Sequence, residues 1–104
     1  MQKSLGFIEL PNLADAVEAL DLMLKAADVQ FETWEKKLGG RLVTIIVSGD
    51  VAAVTEAVEH AKADAAGRIV ASAVIANPHP ELFKLIEKSK KKHNFPEPLK
   101  VNEV

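Results

Sequence analysis

Residues 36–51, KKLGGRLVTIIVSGDV, constrain the fold more tightly than any other part of this chain. Gly39 and Gly40 can adopt positive φ at little cost, so the chain can reverse sharply there. Residues 42–47 are apolar and rich in β-branched side chains, the signature of a strand covered on both faces. Gly49 and Asp50 end that strand, and the Asp50 carboxylate can accept from an unpaired amide of a following helix. The segment holds no catalytic group. It does set one cation, Arg41, beside a bare glycine turn.

Around this hairpin the chain reads as alternating strands and helices. Residues 4–10 form a strand stopped by Pro11, and Asn12 with Asp15 three positions on makes a capping-box-like helix start. That helix runs to about Ala27. Residues 29–35 give a second strand, alternating in part through Val29, Phe31 and Thr33, and pair with residues 42–47 across residues 37–41. A second helix runs from Asp50 to a C-terminal stop at Gly67, and residues 69–76 form a fourth strand. Pro80 opens a third helix over residues 81–91. Residues 93–104, with Pro96 and Pro98, read as an extended tail, leaving residues 1–92 as the domain.

The order β-α-β-β-α-β predicts an α/β (α+β) fold: a ferredoxin-like, four-stranded antiparallel sheet with helices on one face, plus a C-terminal helix and tail. In the first helix, Leu13, Val17, Leu20 and Leu24 make the expected core stripe. Leu22 falls on the opposite side at about 100° per residue. Apolar residues on two faces, and the many alanines of the second helix, open the possibility of an oligomer interface.

At 104 residues the chain can bury one two-layer core. Its 48% hydrophobic and 27% charged content is that of a globular domain. It has no cysteine, which excludes disulfides, thiolate catalysis and zinc–thiolate sites and fits a reducing compartment. No apolar run is long enough to span a bilayer, and no signal-peptide pattern opens the chain, so a cytoplasmic protein is expected. Residues 1–83 carry seven Lys/Arg against twelve Asp/Glu, a net −5; residues 84–104 carry six Lys against three Glu, a net +3. An acidic body argues against nucleic acid as a partner, and Trp34 as the single tryptophan, with no tyrosine, offers no stacking platform. The basic run Lys88-Ser89-Lys90-Lys91-Lys92 reads as a solvated helix terminus that complements the helix dipole.

Catalysis finds no support. His60, His79 and His93 fall in different elements, no metal-ligand spacing is present, and no nucleophile, P-loop or dinucleotide motif occurs. The glycine pair lies between two strands, whereas a phosphate cradle opens a helix. Asp15/Glu18 and Glu56/Glu59 are explained as solvated helix faces. His79, between two prolines, can cap the third helix or lie at an interface. No cofactor is expected.

Four ordered motifs resemble the single-domain shell proteins of bacterial microcompartments. Leu5-Gly6-Phe7-Ile8-Glu9 is similar to the family's L-G-hydrophobic-hydrophobic-E strand. Residues 21–29, DLMLKAADV, resemble its D-A-M-hydrophobic-K-A-A-x-V helix end, and residues 42–51, LVTIIVSGDV, its third strand and turn. Residues 74–79, VIANPH, resemble its V-I-P-R-P-H ending. The resemblance covers about residues 4–87.

It implies a non-enzymatic protein of the bacterial cytoplasm whose homo-hexamers tile with other shell proteins around encapsulated enzymes. It further implies an axial pore for small polar or anionic metabolites, lined by the loop between strands two and three: Lys37, Leu38, Gly39, Gly40 and Arg41. Arg41 would either ring the pore with positive charge or pair with a neighbour's carboxylate. Lys25 matches the family's hexamer-edge lysine; a surface salt bridge is the alternative. Asn77 stands where the family has an edge-contact arginine, with His79 beside it. The family's usual loop reads K-I-G-S-G; here it is K-L-G-G-R, in a segment one residue longer. The rival reading is a ferredoxin-like oligomeric regulator that binds a small molecule in a cleft between subunits. An enzyme on this fold is the third.

Overall fold

The computed structural model describes residues 3–64 and 68–93. Four strands, β1 (Ser4–Leu10), β2 (Gln30–Lys37), β3 (Leu42–Gly49) and β4 (Ala71–Ile75), form one antiparallel sheet in the order β2-β3-β1-β4. Helices α1 (Leu13–Ala26) and α2 (Val51–Asp64) cover one face, and α3 (Pro80–Lys92) packs on the other beside β2. This is the expected ferredoxin-like arrangement with its additional helix. The fourth strand is shorter than expected: Val70 still reaches the sheet by donating its N–H to the Glu9 carbonyl at 2.8 Å, but pairing begins at Ala71. The expected helix stop at Gly67, and the tail beyond His93, lie outside the described residues.

The helix starts follow from their caps. The Asn12 Oδ1 accepts from the Asp15 N–H at 2.8 Å, and the Asn12 amide donates to the Asp15 carboxylate at 3.0 Å. Asp50 accepts from the Ala53 N–H at 3.0 Å. Such caps contribute about 1 kcal/mol each.

On the α1/α2 face, Ile8, Leu10, Val43, Ile45 and Val47 meet Leu20, Met23, Val54 and Val58 in the main core. Each fully buried aliphatic side chain contributes roughly 1.5–3 kcal/mol. β3 is buried on both faces, because Ile46 and Ser48 point the other way, towards the α3 side. Gly6 sits under α2, where an added Cβ would lie 2.8 Å from Val54 Cγ1 and 3.1 Å from Val58 Cγ2.

Two expectations fail here for a physical reason. The buried stripe of α1 is Ala16, Ala19, Leu20 and Met23, while Leu13 and Val17 are 38% and 49% exposed. The two helices pack side by side, with Ala16 and Ala19 of α1 and Ala57 and Ala61 of α2 all buried in the core they share, so small residues occupy the inside. Leu22 is half-buried. The alternation of β2 also breaks, at a bulge between Phe31 and Thr33. Glu32 and Thr33 therefore both meet α3 residues, whereas Phe31 and Trp34 both join the main core. Trp34 packs edge-on to Phe31, with ring centroids 6.0 Å apart.

Candidate functional site

The β2–β3 hairpin closes through a tight turn over Leu38–Gly40. Its three residues are all left-handed, with φ of 54°, 66° and 88° in order. Glycine adopts this region without penalty, whereas an L-residue such as Leu38 gives up about 1–2 kcal/mol. A Cβ added at Gly39 or Gly40 would meet nothing within 4 Å, so backbone conformation, not space, calls for glycine. Arg41 secures the turn twice: its backbone N–H and its Nε both donate to the Leu38 carbonyl, at 3.3 and 3.1 Å. Its guanidinium is thus folded onto its own loop. Leu38 is 66% exposed at the tip, and Lys37 is exposed at the end of β2. Lys36 lies with its ammonium 5.7 Å from the Trp34 ring centroid. The hairpin end is small, apolar at its point and cationic at its base.

Strand register places the other candidates at the far end of the sheet. The hairpin end carries the pairs Lys37↔Leu42 and Leu10↔Val43, and the opposite end carries Ser4↔Gly49, Gln30↔Ser48 and Leu5↔Ile75. Lys25, in the last turn of α1, and Asn77 and His79, just past β4, belong to that opposite end. Lys25 pairs with Asp21 at 2.9 Å, an exposed i,i+4 contact on the helix surface, so the salt-bridge reading holds within a single chain. Asn77 and His79 are exposed on either side of the buried Pro78. His79 caps α3, its Nδ1 accepting from the Glu81 N–H at 3.1 Å.

Among the described residues, no cluster of three or more His, Asp or Glu could hold a metal ion, and no helix is long and apolar enough to cross a membrane. Asp15 and Glu18 are both held by Arg68, at 3.3 Å each.

One arrangement was hidden in the sequence. The basic run at the end of α3 is not uniformly solvated: Lys90 is 8% exposed and paired with Glu32, itself 7% exposed, which also accepts from the Ser48 hydroxyl. Next to Lys90, the Ser89 hydroxyl lies 2.7 Å from that of Thr33 and donates to Glu35, which Lys92 reaches at 3.3 Å. Burial disfavours the Lys90 ammonium, but contacts with Glu32 outweigh it and hold the pKa above its ordinary value. The Ser89 hydrogen bond, helped by Lys92 and His93 and opposed by desolvation, holds Glu35 below its ordinary value. These contacts clamp α3 to β2. Partners so distant in sequence leave no local signal; the alternation of β2 hides the bulge that turns Glu32 inward.

The chain belongs to the BMC domain family, whose model matches residues 4–78. It is 42% identical over 89 residues to the bacterial microcompartment shell protein PduA of Salmonella typhimurium, covering 84% of this chain and 94% of that protein. It is 42% identical over 92 residues to the carboxysome shell protein CsoS1B of Hydrogenovibrio crunogenus, covering 85% and 93%. Among solved structures, a microcompartment protein from Desulfitobacterium hafniense DCB superimposes with a TM-score of 0.75 at 31% identity over 86% of this chain. This chain spans about half the length of that protein, 49%.

Proposed function

We propose that this chain is a structural shell protein of a bacterial microcompartment in the bacterial cytoplasm, and not an enzyme. It forms cyclic hexamers that tile edge to edge with other shell proteins around encapsulated enzymes. Lys37, Leu38, Gly39, Gly40 and Arg41 line the aperture on the sixfold axis, through which small polar or anionic metabolites pass. Lys25, Asn77 and His79 make the contacts between hexamers.

The observation that carries this reading is the hairpin itself. Six copies of a loop can meet on an axis only if its tip is small and its backbone tightly folded, and Leu38–Gly40 is a single left-handed turn with two glycines. The loop lies at one end of the sheet and the proposed edge residues at the other, as a ring with an inner and an outer rim requires. Lys36, Lys37 and Arg41 give the inner rim positive charge, which favours anions over cations. Because Arg41 is folded onto the Leu38 carbonyl, its charge stays with its own loop and does not have to reach a neighbour's carboxylate.

Negative-stain electron microscopy of the concentrated protein tests the reading. Flat hexagonal lattices with one hole per tile are expected; dispersed small particles at every concentration would contradict it.

A further inference from the structure

Two opposite flanks of the domain carry exposed apolar side chains. α1 lies over the β3 side of the sheet and α2 over β1 and β4, so the outer flank of α1 looks past β2 and that of α2 looks past β4. On α1, Asp15 and Glu18 are held by Arg68 of the connection from α2 to β4, which marks the side nearest α2. Leu13 and Val17 project roughly 150° round the helix from that pair and remain exposed.

At the other flank β4 is the last strand of the sheet, and Ala71, Ser72, Ala73 and Val74 are all exposed. Val74 pairs with Gly6, where a Cβ would point at Val54 and Val58, so Val74 stands on the helix side of the sheet, at the foot of α2. It is 37% exposed, and Val70, just before the strand, is 58% exposed. Edge strands that stay free are guarded by lysine, proline or a bulge. Residues 71–75, ASAVI, carry no lysine or proline and pair with β1 in regular register.

We propose that these two flanks meet between copies of the chain, the α1 ridge of Leu13 and Val17 in one copy seating against Val70, Ser72 and Val74 of the next. The proposal rests on the ring reading and names the two surfaces that build the ring. Because the surfaces are different and lie on opposite flanks, each copy offers both, and the contact repeats head to tail instead of closing as a twofold dimer.

Position and charge agree. Leu13 opens α1 just past Leu10, and Val70 donates to the Glu9 carbonyl, so both lie at the hairpin end of the sheet. Val17 is about 6 Å further along α1, and Ser72 about 7 Å beyond Val70, so the two rows stay level when the hairpins point to one axis. Beside the α1 ridge stand the exposed acids Glu18 and Asp21. On α2, Lys62 lies roughly 140° round from Ala57, which is buried towards α1, and so belongs to the outer flank. α2 runs antiparallel to α1, which brings Lys62 level with the first turns of a neighbouring α1 and within reach of Glu18. The exposed pairs that Lys62 makes with Glu59 and Glu18 makes with Arg68 exchange at little cost.

The chain has no cysteine, so paired substitutions report contacts cleanly. Val17→Cys with Ser72→Cys in one chain, treated with a short bis-maleimide, is expected to give a ladder of linked chains up to six on a denaturing gel. Each single variant is expected to stay unlinked, since each flank meets the other and not itself. Val17→Glu, at an exposed site, is expected to keep its circular dichroism spectrum and lose the hexamer mass. Linked dimers from either single variant would overturn the proposal in favour of a twofold contact. An unlinked double variant that still shows the hexamer by native mass spectrometry, or a Val17→Glu protein that keeps it, would overturn the flank assignment and leave the ring standing. An unlinked double variant whose parent protein is a monomer would overturn both.

Discussion

Lys90 and Glu32 form an ion pair buried between α3 and the bulge of β2. The bulge turns Glu32 to the same side as Thr33, so a carboxylate from an edge strand meets an ammonium from the C-terminal helix. Ser48, Glu87 and the Lys3 ammonium, 3.9 Å from the Glu32 carboxylate, also surround the pair. β2 leads directly into the loop over Leu38–Gly40, so the clamp that fixes β2 also fixes the base of that loop.

Removing Lys90 leaves the buried Glu32 carboxylate with only the Ser48 hydroxyl and the exposed Lys3 ammonium at 3.9 Å. Lys90→Met is expected to destabilise the fold by about 3–5 kcal/mol, whereas Lys90→Met with Glu32→Leu recovers most of that loss. Urea unfolding of the two variants measures the difference.

Stability should fall at both extremes of pH. Glu35 has a folded pKa below its ordinary 4.5, so its contribution is present above that value and is lost as pH drops through the folded pKa. Lys90 has a folded pKa above its ordinary 10.5, so its contribution is present below that value and is lost as pH rises through the folded pKa. Thermal midpoints followed across pH are expected to show an acid decline that Glu35→Gln flattens and an alkaline decline that it leaves in place.

Gly6→Ala should be costly although the backbone there is an ordinary strand. The new methyl meets Val54 at 2.8 Å, Val58 at 3.1 Å and Val47 at 3.2 Å, so α2 must move away from the sheet. A loss of about 1–3 kcal/mol is expected from thermal unfolding.

Much of this fold was legible because its strongest signals are local. The apolar run at Leu42–Gly49, the caps at Asn12 and Asp50, Pro80 at the first turn of α3 and the two glycines of the hairpin each act within a few residues. What escaped depends on contacts between distant segments. The inward face of α1 was set by the alanines of α2, which share its core and bring Ala16 inside in place of Leu13. The burial of Lys90 needed Glu32, and Glu32 needed a bulge that alternation alone does not predict. At the candidate site the loop was readable from its glycines, but the fold-back of Arg41 onto Leu38 was not, since it is a choice of side-chain conformation.

Lys25→Ala should separate the two levels of assembly. Within one chain it removes only an exposed pair with Asp21, which contributes a few tenths of a kcal/mol, so the fold and the hexamer should persist. If Lys25 lies across the edge between hexamers, lattices disappear from micrographs of the variant. Lattices unchanged from those of the parent protein would remove that role.

The most direct test of the central claim is the mass of the purified protein by native mass spectrometry across micromolar concentrations. The account predicts a dominant species at six times the chain mass of 11.3 kDa, holding over that range. A stable monomer or dimer throughout would contradict a ring built around the hairpin.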